Sequence, residues 1–112
     1  MIELLLMDYL SEQTSIPCYL SVPEKASGTF YVLEKTGGGM DEGIASATLA
    51  VQSYASDVPE ASRANTRAKA ALLDADTLPQ IIQCELNTDY NFPDTTRKRP
   101  RYQAVFDVTY YE

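Results

Sequence analysis

The strongest pattern in this chain is an alternation of apolar and polar residues in its last third. One run covers residues 81–92 and another covers residues 102–110, and such alternation is typical of half-buried β-strands. One face of the first run carries mostly apolar side chains. They are Ile82, Cys84, Leu86, Thr88, Tyr90 and Phe92. The segment 93–101 between the runs contains two prolines, so we predict a long C-terminal β-hairpin.

This hairpin is long for a small chain. Its first strand would extend about 40 Å at about 3.3 Å per residue, whereas a chain of this length has a radius of gyration of only about 13 Å. A stripe of that length is difficult to cover within one subunit. We therefore expect the hairpin to offer surface that a neighbouring subunit buries.

The first third of the chain predicts a helix followed by two strands. Apolar residues recur at helical spacing over about residues 2–13. They are Ile2, Leu5, Leu6, Tyr9 and Leu10. Short runs at 18–22 and 29–36 predict two strands. The segment 23–28 between them contains proline and glycine, so we expect the two strands to pair as a hairpin.

Residues 44–55 fit two different patterns. The residues that alternate as in a strand are Ala45, Ala47, Leu49 and Val51. The residues that fit one face of a helix are Ile44, Ala47, Thr48 and Val51. We favour the strand, because Thr48, Val51 and Tyr54 prefer extended backbone and because a helix start signal appears only afterwards.

That start signal lies at Asp57 and Pro59. An aspartate can cap the first N–H groups of a helix, and proline is tolerated in the first turn. We predict a helix from there to about residue 75, with a stripe of mostly small residues. The stripe consists of Ala61, Ala64, Ala68, Ala71, Leu72 and Ala75. The sequence thus predicts one α+β domain over residues 1–112, in the order α-β-β-β-α-β-β, with a mostly antiparallel sheet packed by two helices.

Composition argues against several classes of function. The 112 residues include nine Lys or Arg, sixteen Asp or Glu and no His, for a net charge of −7. General binding to nucleic acid or to a membrane surface needs a positive field. Without histidine the commonest general base is missing, and the acid pairs at 41–42 and 74–76 lack the spacing of a calcium loop. We expect no enzymatic activity, no cofactor and no metal site.

Cysteine usage suggests a reducing compartment, and hydropathy indicates no membrane segment. Cys18 and Cys84 occupy positions where a small apolar residue would fit, and we interpret both as reduced core residues. The apolar start lacks a basic leader and carries Glu3 and Asp8. No segment approaches the roughly 20 apolar residues that span a bilayer. We expect a cytoplasmic protein that does not interact with membranes.

A glycine-rich segment is the first candidate for partner contact. It consists of Gly37, Gly38, Gly39, Met40, Asp41 and Glu42. A phosphate-binding loop would require a helix N-terminus behind it and usually a Lys-Ser or Lys-Thr pair, and neither is present in the sequence. We predict a flexible hairpin loop that could become ordered on a partner.

The turn of the C-terminal hairpin is the second candidate. Four of the nine basic residues fall within five positions, and three aromatic residues lie close to them. These residues are Arg97, Lys98, Arg99, Arg101, Tyr90, Phe92 and Tyr102. We expect the cations to be exposed. Two interpretations remain open: a partner-binding site, or a solvated turn whose cations balance Asp89 and Asp94. A bound partner would more readily be an acidic neighbouring subunit than a specific DNA sequence, because no reading helix accompanies the turn.

Nearly the whole chain resembles one family. The features that carry the resemblance are the opening helix, the capped helix after the strand that ends at 51–55, and the segments 87–94 and 101–111. With these features the chain resembles the small tail-terminator or tail-completion proteins of long-tailed bacteriophages and prophages, which are minor structural proteins of the head–tail joint. These proteins have no catalytic signature.

The resemblance implies a virion protein assembled in the host bacterial cytoplasm. It implies a homo-oligomeric ring, commonly of six subunits, that caps the finished tail tube and leaves an axial channel for DNA. Its partners would be the major tail protein and head-side connector proteins, with DNA only as passing cargo. The alternatives are another minor head–tail connector protein, a nucleic-acid-binding module that uses the basic hairpin, or an enzyme of carboxylate or metal type.

Overall fold

The computed structural model describes residues 1–112 and contains two helices, one short 3₁₀ turn and five strands. In chain order these are α1 (Ile2–Thr14), β1 (Cys18–Tyr19), β2 (Phe30–Asp41), β3 (Ile44–Tyr54), α2 (Val58–Leu73), the 3₁₀ turn (Ala75–Thr77), β4 (Ile81–Asn91) and β5 (Arg101–Tyr111). The predicted α+β class and the order α-β-β-β-α-β-β are confirmed.

All five strands belong to one sheet, in the order β1-β2-β3-β5-β4. Every neighbouring pair is antiparallel except β1 with β2. The predicted C-terminal hairpin is present as β4 and β5. It does not project as a separate arm, however, because β5 pairs along its whole length with β3 as well as with β4. The long sheet gives the molecule extents of 43 × 24 × 24 Å.

The expected hairpin between the first two strands is wrong. β1 has only two residues and runs parallel to β2, with Cys18 opposite Tyr31. The Tyr31 N–H donates a hydrogen bond of 2.8 Å to the carbonyl of Pro17. A parallel pair needs a longer crossover than a tight turn provides, and residues 20–29 supply it. This crossover brings Val22 and Ala26 against the sheet.

The glycine-rich segment is not a loop, which corrects a second prediction. β2 continues through Gly37, Gly38 and Gly39 to Asp41 and pairs with β3 on both sides of one register shift between Lys35 and Gly37. The chain reverses at Glu42 and Gly43, whose φ values are 52° and 82°. Two consecutive residues with positive φ form the tight turn that suits the twist of a β-hairpin. The turn therefore lies later than the glycine run suggested.

Local signals in the middle of the chain are borne out. The ambiguous residues 44–55 form strand β3. The Asp57 carboxylate caps α2 by accepting a hydrogen bond of 2.8 Å from the Glu60 N–H, and proline lies in the first turn. The regular helix ends at Leu73, two residues before the predicted end, and the 3₁₀ turn follows.

The alternation of β4 is broken twice, although its sequence pattern is continuous. The register against β5 shifts between Ile81 and Gln83 and again between Leu86 and Thr88. Each shift inserts one extra residue and reverses which side chains face the helices. Ile81 is therefore buried at 4% exposure while Ile82 is 39% exposed. Beyond the second shift Asp89, opposite Ala104, lies on the face that α2 covers.

The main core lies between the two helices and one face of the sheet. Leu6 and Leu10 of α1 and the small residues of α2 pack there against Leu49, Phe106 and other inward side chains of the sheet. The Tyr31 hydroxyl donates a hydrogen bond of 2.6 Å to the Ala64 carbonyl of α2. We call the opposite side of the sheet the open face. It carries one small buried apolar cluster at one end, formed by Phe30, Val32 and Tyr54.

Neither helix combines the length and the hydropathy needed to cross a lipid bilayer.

Candidate partner-binding surfaces

The open face of the sheet is mostly polar. Gln52 of β3 donates a hydrogen bond of 3.0 Å to the Gln103 side chain of β5, and Gln103 donates one of 2.5 Å to the Tyr90 hydroxyl of β4. The Asn87 amide, placed by the second register shift, donates a hydrogen bond of 3.0 Å to Asp107. These side chains bond to one another across three strands. No helix covers them.

The turn at residues 93–101, which we call the basic tip, is organised around a buried carboxylate. Asp94 is 4% exposed. It accepts hydrogen bonds of 2.8 Å from the Tyr54 hydroxyl, 3.0 Å from the Arg97 N–H and 3.2 Å from the Arg97 guanidinium. The Arg101 guanidinium lies 3.8 Å from the same carboxylate.

These partners hold Asp94 ionised. Burial alone would raise the pKa of its carboxyl group. The hydrogen bonds from Arg97 and Tyr54, together with the charge of Arg101, outweigh burial and lower the pKa to about 2. The tip is thus a fixed structure held by a charged group at its centre.

Two of the four tip cations are built into the subunit, contrary to the expected exposure. Arg99 donates to the carbonyls of Ala26 and Gly28 at 3.1 and 2.8 Å, and its guanidinium lies 5.2 Å from the centre of the Phe30 ring. Arg101 is 13% exposed at its side chain. It donates a hydrogen bond of 2.7 Å to the Phe92 carbonyl.

The other two cations remain available to a partner. The Arg97 side chain is 51% exposed although it is bonded to Asp94. Lys98 is exposed, makes no hydrogen bond or ion pair within the subunit, and has a positive φ of 55°. Lys98 is therefore the tip cation that has no contact within the subunit.

The three aromatic candidates are not all brought together. Tyr90 and Phe92 form an edge-to-face pair with ring centres 5.6 Å apart, and Arg101 lies 4.3 Å from the Phe92 ring centre. Tyr102 pairs with Ser53 in register and is half-buried on the other side of the sheet. Only Tyr90 and Phe92 therefore join the cations in one surface.

Asp89 does not balance the tip cations, which corrects that part of the solvated-turn interpretation. It accepts hydrogen bonds of 2.8 Å from Lys69 and 2.8 Å from Asn65, both on α2. The hydrogen bond from Lys69 is the main cause that lowers the pKa of Asp89, against a smaller effect of desolvation. Asp89 thus attaches β4 to α2.

The glycine-rich segment lies at the end of the molecule opposite the basic tip. Its residues from Gly37 to Glu42 are exposed. Because β1 pairs only with Tyr31 and Val32, the outer edge of β2 beyond them has no strand beside it. An exposed strand edge can accept contacts from another chain.

A groove at this same end was not found from the sequence. We call it the end groove. It encloses about 470 Å³ between the start of α1 and the ends of the sheet strands. Its exposed apolar residues are Met1, Leu4 and Tyr111, and its acidic residues are Glu3, Asp8 and Glu112. One signal in the sequence could have indicated this groove. Leu4 is apolar but lies outside the apolar stripe predicted for α1.

The metal-ligand and thiol chemistry of the chain is limited. No group of three His, Cys, Asp or Glu side chains is placed to hold a metal ion. Both cysteines are free and buried. Burial, with a smaller contribution from nearby carboxylates, raises the pKa of the Cys18 and Cys84 thiols to about 12, which leaves them protonated and poorly nucleophilic.

No protein-family model matches this chain, and no curated protein matches its sequence.

Proposed function

We propose that this protein is a non-enzymatic structural component of a long-tailed bacteriophage or prophage particle. In this proposal it assembles into a ring at the joint between tail and head and terminates or completes the tail tube. The observation that carries the proposal is a long sheet with helices on one face only. The open face, the basic tip and the end groove remain as surface for neighbouring subunits.

The distribution of exposed apolar side chains supports assembly. At one end of the sheet Met1, Leu4, Met40, Ile44 and Tyr111 are exposed. At the other end Tyr90 and Phe92 are exposed beside the basic tip. Single exposed apolar residues are normal on a monomer, but groups of them mark surfaces that bind other proteins.

The rigidity of the tip supports a joining role. Residues fixed before binding lose less conformational entropy when a partner arrives. The Asp94 hydrogen bonds and the Arg99 contacts to Ala26 and Gly28 fix the tip in the isolated subunit. A contact made by such a turn reproduces the same geometry from subunit to subunit, which a closed ring requires.

The proposed partners follow from the resemblance and from charge. They are other copies of this chain, the major tail protein and head-side connector proteins. DNA would pass through the ring as cargo. A net charge of −7 suits a channel in which DNA must move without adhering.

The nucleic-acid-binding alternative has weaker support. A module of that kind needs several cations free to contact phosphates. Arg99 and Arg101 are used within the subunit, and Arg97 is bonded to Asp94. That leaves Lys98 as the tip cation with no internal contact.

The alternative of another minor head–tail connector protein uses the same surfaces and differs in the partner bound.

Deletion of the gene in the phage that encodes it tests the proposal. We expect particles in which tails and heads do not join, or tail tubes of abnormal length, and restoration by the wild-type gene in trans. Size-exclusion chromatography with light scattering of concentrated protein should show self-association. Normal infectious particles from the deletion strain would contradict the proposal.

A further inference from the structure

The basic tip and the opposite end of the molecule carry exposed side chains of opposite charge. The end opposite the basic tip contains five acidic residues around the end groove and the adjoining turn, and none of them forms an ion pair in the subunit. They are Glu3, Asp8, Asp41, Glu42 and Glu112. The turn and the groove are adjacent, because the Glu112 N–H donates a hydrogen bond of 3.4 Å to the Gly43 carbonyl. The one basic side chain that lines the groove is Lys35.

The end groove has the form of a docking site. Its volume of about 470 Å³ falls within the range of pockets that bury a ligand or an anchoring side chain. Ile2 and Tyr110 form a buried apolar floor, and Met1, Leu4 and Tyr111 are exposed beside it. An apolar floor with an acidic rim fits a segment that carries apolar bulk and positive charge.

The basic tip is a segment of that kind. It presents Lys98 with no partner and Arg97 half exposed. Pro93 and Pro100 add apolar surface on either side of these cations, and both line a shallow depression with Lys98. Because Asp94 holds the backbone of the turn, its shape is set before docking.

We infer that the basic tip of one copy of this chain docks in the end groove of a second copy. The contact is head to tail, since each copy carries the tip at one end of its 43 Å length and the groove at the other. A head-to-tail contact leaves one groove and one tip free after every addition. It therefore generates a ring when the rotation that relates each copy to the next brings the last copy back to the first. Ring assembly is part of the proposed function, and this contact rests on it and names its surfaces.

The long edge of the sheet at β4 is less suited to this contact. Register shifts at Ile82 and Asn87 make the backbone of this strand irregular. Such irregularities twist an edge strand and prevent regular pairing with a further strand. The complementary charges lie at the ends of the strands, where the tip and the groove are.

Disulfide cross-linking between two variants that each carry one added cysteine tests the contact in the full-length protein. One variant is Lys98→Cys and the other is Leu4→Cys. The native thiols are buried and protonated, so they compete little under mild oxidation. We expect the mixture to form a disulfide-linked heterodimer several-fold faster than either variant alone forms a homodimer, and the rate should fall as salt is added.

A matched control replaces Leu4→Cys by Ile82→Cys. Ile82 is exposed to a similar degree but lies on the β4 edge. Preferred linkage of Lys98→Cys to Leu4→Cys over Ile82→Cys supports the contact. Equal or slower linkage to Leu4→Cys overturns it.

Charge exchange separates a head-to-tail contact from a symmetric one. Lys98→Glu reverses the charge at the tip, and Glu3→Lys with Glu112→Lys reverses the charge of the groove, so each variant alone should lose self-association. Mixed together, the two variants should assemble again, because the native tip of one meets the native groove of the other and the reversed tip meets the reversed groove. A mixture that stays monomeric, or unchanged assembly of either variant alone, would overturn the contact.

Failure of this contact and failure of the proposed function give different results. A ring that forms at the tail–head joint without the Lys98 to Leu4 linkage disproves the contact and leaves the function. Efficient linkage by a protein that is absent from phage particles and dispensable for joining disproves the function and leaves the contact.

Discussion

The Tyr54 hydroxyl donates a hydrogen bond of 2.8 Å to the Asp94 carboxylate, although the two residues are 40 positions apart in the chain. Tyr54 ends strand β3, which pairs with strands on both sides, and its ring stacks on Phe30 with centres 4.8 Å apart. Asp94 belongs to the basic tip. This one bond therefore connects a strand that is paired on both sides to the segment that we assign to partner contact.

The first prediction concerns the stability supplied by Asp94. Asp94→Asn keeps the size of the side chain but removes the charge that Arg97 and Arg101 face. We expect the free energy of unfolding to fall by about 2–3 kcal/mol, since a buried charge network loses one partner. Urea denaturation followed by circular dichroism measures it. Asp76→Asn, at an exposed position, is the control and should change stability by less than about 0.5 kcal/mol.

The second prediction is a pH dependence with a defined sign. The pKa of Asp94 is lowered from 3.8 to about 2 in the folded protein. A group whose pKa is lower in the folded state stabilises the fold above its unfolded pKa, and this contribution disappears as the pH falls through the folded value.

The difference in stability between wild type and Asp94→Asn should therefore be constant above about pH 5 and shrink as the pH falls toward about 2. Urea titrations of both proteins at several pH values give this difference. A stability difference that stays constant down to pH 2 would show that the charge of Asp94 is not what stabilises the tip.

The third prediction concerns the two thiols. Burial is the main cause that raises the pKa of Cys18 and Cys84 to about 12. A protonated and inaccessible thiol reacts slowly with a disulfide reagent, while an unfolded cysteine has a pKa of about 8.5. We expect almost no reaction at pH 8 in the native protein and reaction of both thiols in denaturant. Rapid reaction of either thiol without unfolding would contradict the burial of that residue.

The fourth prediction compares two neighbouring glycines in β2. A Cβ atom on Gly38 would lie 3.0 Å from the Ser46 carbonyl oxygen and 2.8 Å from Cε of Lys35, whereas one on Gly37 would lie 3.9 Å from Thr48. The lysine can move aside, but the backbone carbonyl of a paired strand yields less.

Gly38→Ala should therefore lower the unfolding free energy by about 1 kcal/mol. Gly37→Ala should leave it unchanged or raise it by up to about 1 kcal/mol, because alanine reduces the entropy of the unfolded chain. Thermal or urea unfolding of the two variants distinguishes them. Equal effects would mean that the close approach at Gly38 is relaxed in solution.

Local features of the fold were predictable because they depend on neighbouring residues alone. The cap at Asp57 needs only its own side chain and the Glu60 N–H three positions later. The alternation of β5 was read correctly because its pairing with β3 has no irregularity. The fold class followed from such local readings taken together.

Features that depend on the partner strand were not predictable. Nothing in the alternation of β4 distinguishes Ile81 from Ile82, and the register shift that separates them exists only against β5. The glycine run reads as a loop because glycine disfavours strands. Pairing with Thr48, Ala47 and Ser46 overrides that preference.

The candidate site was predicted in part. The concentration of charge at Arg97, Lys98, Arg99 and Arg101 was visible in the sequence, as were the aromatic residues near it. The internal use of Arg99 and Arg101 depends on residues 26, 28 and 92, which only the fold brings close. The end groove joins α1 to the end of β5, nearly the full length of the chain apart, so no local pattern could indicate it.

Electron microscopy of phage tail tubes incubated with the purified protein tests the central claim most directly. The protein is expected to form a ring at one end of each tube, the end that receives the head, and to leave the tube wall and the other end bare. Tubes that stay undecorated, or that bind the protein along their length or at both ends alike, would contradict a ring at the tail–head joint.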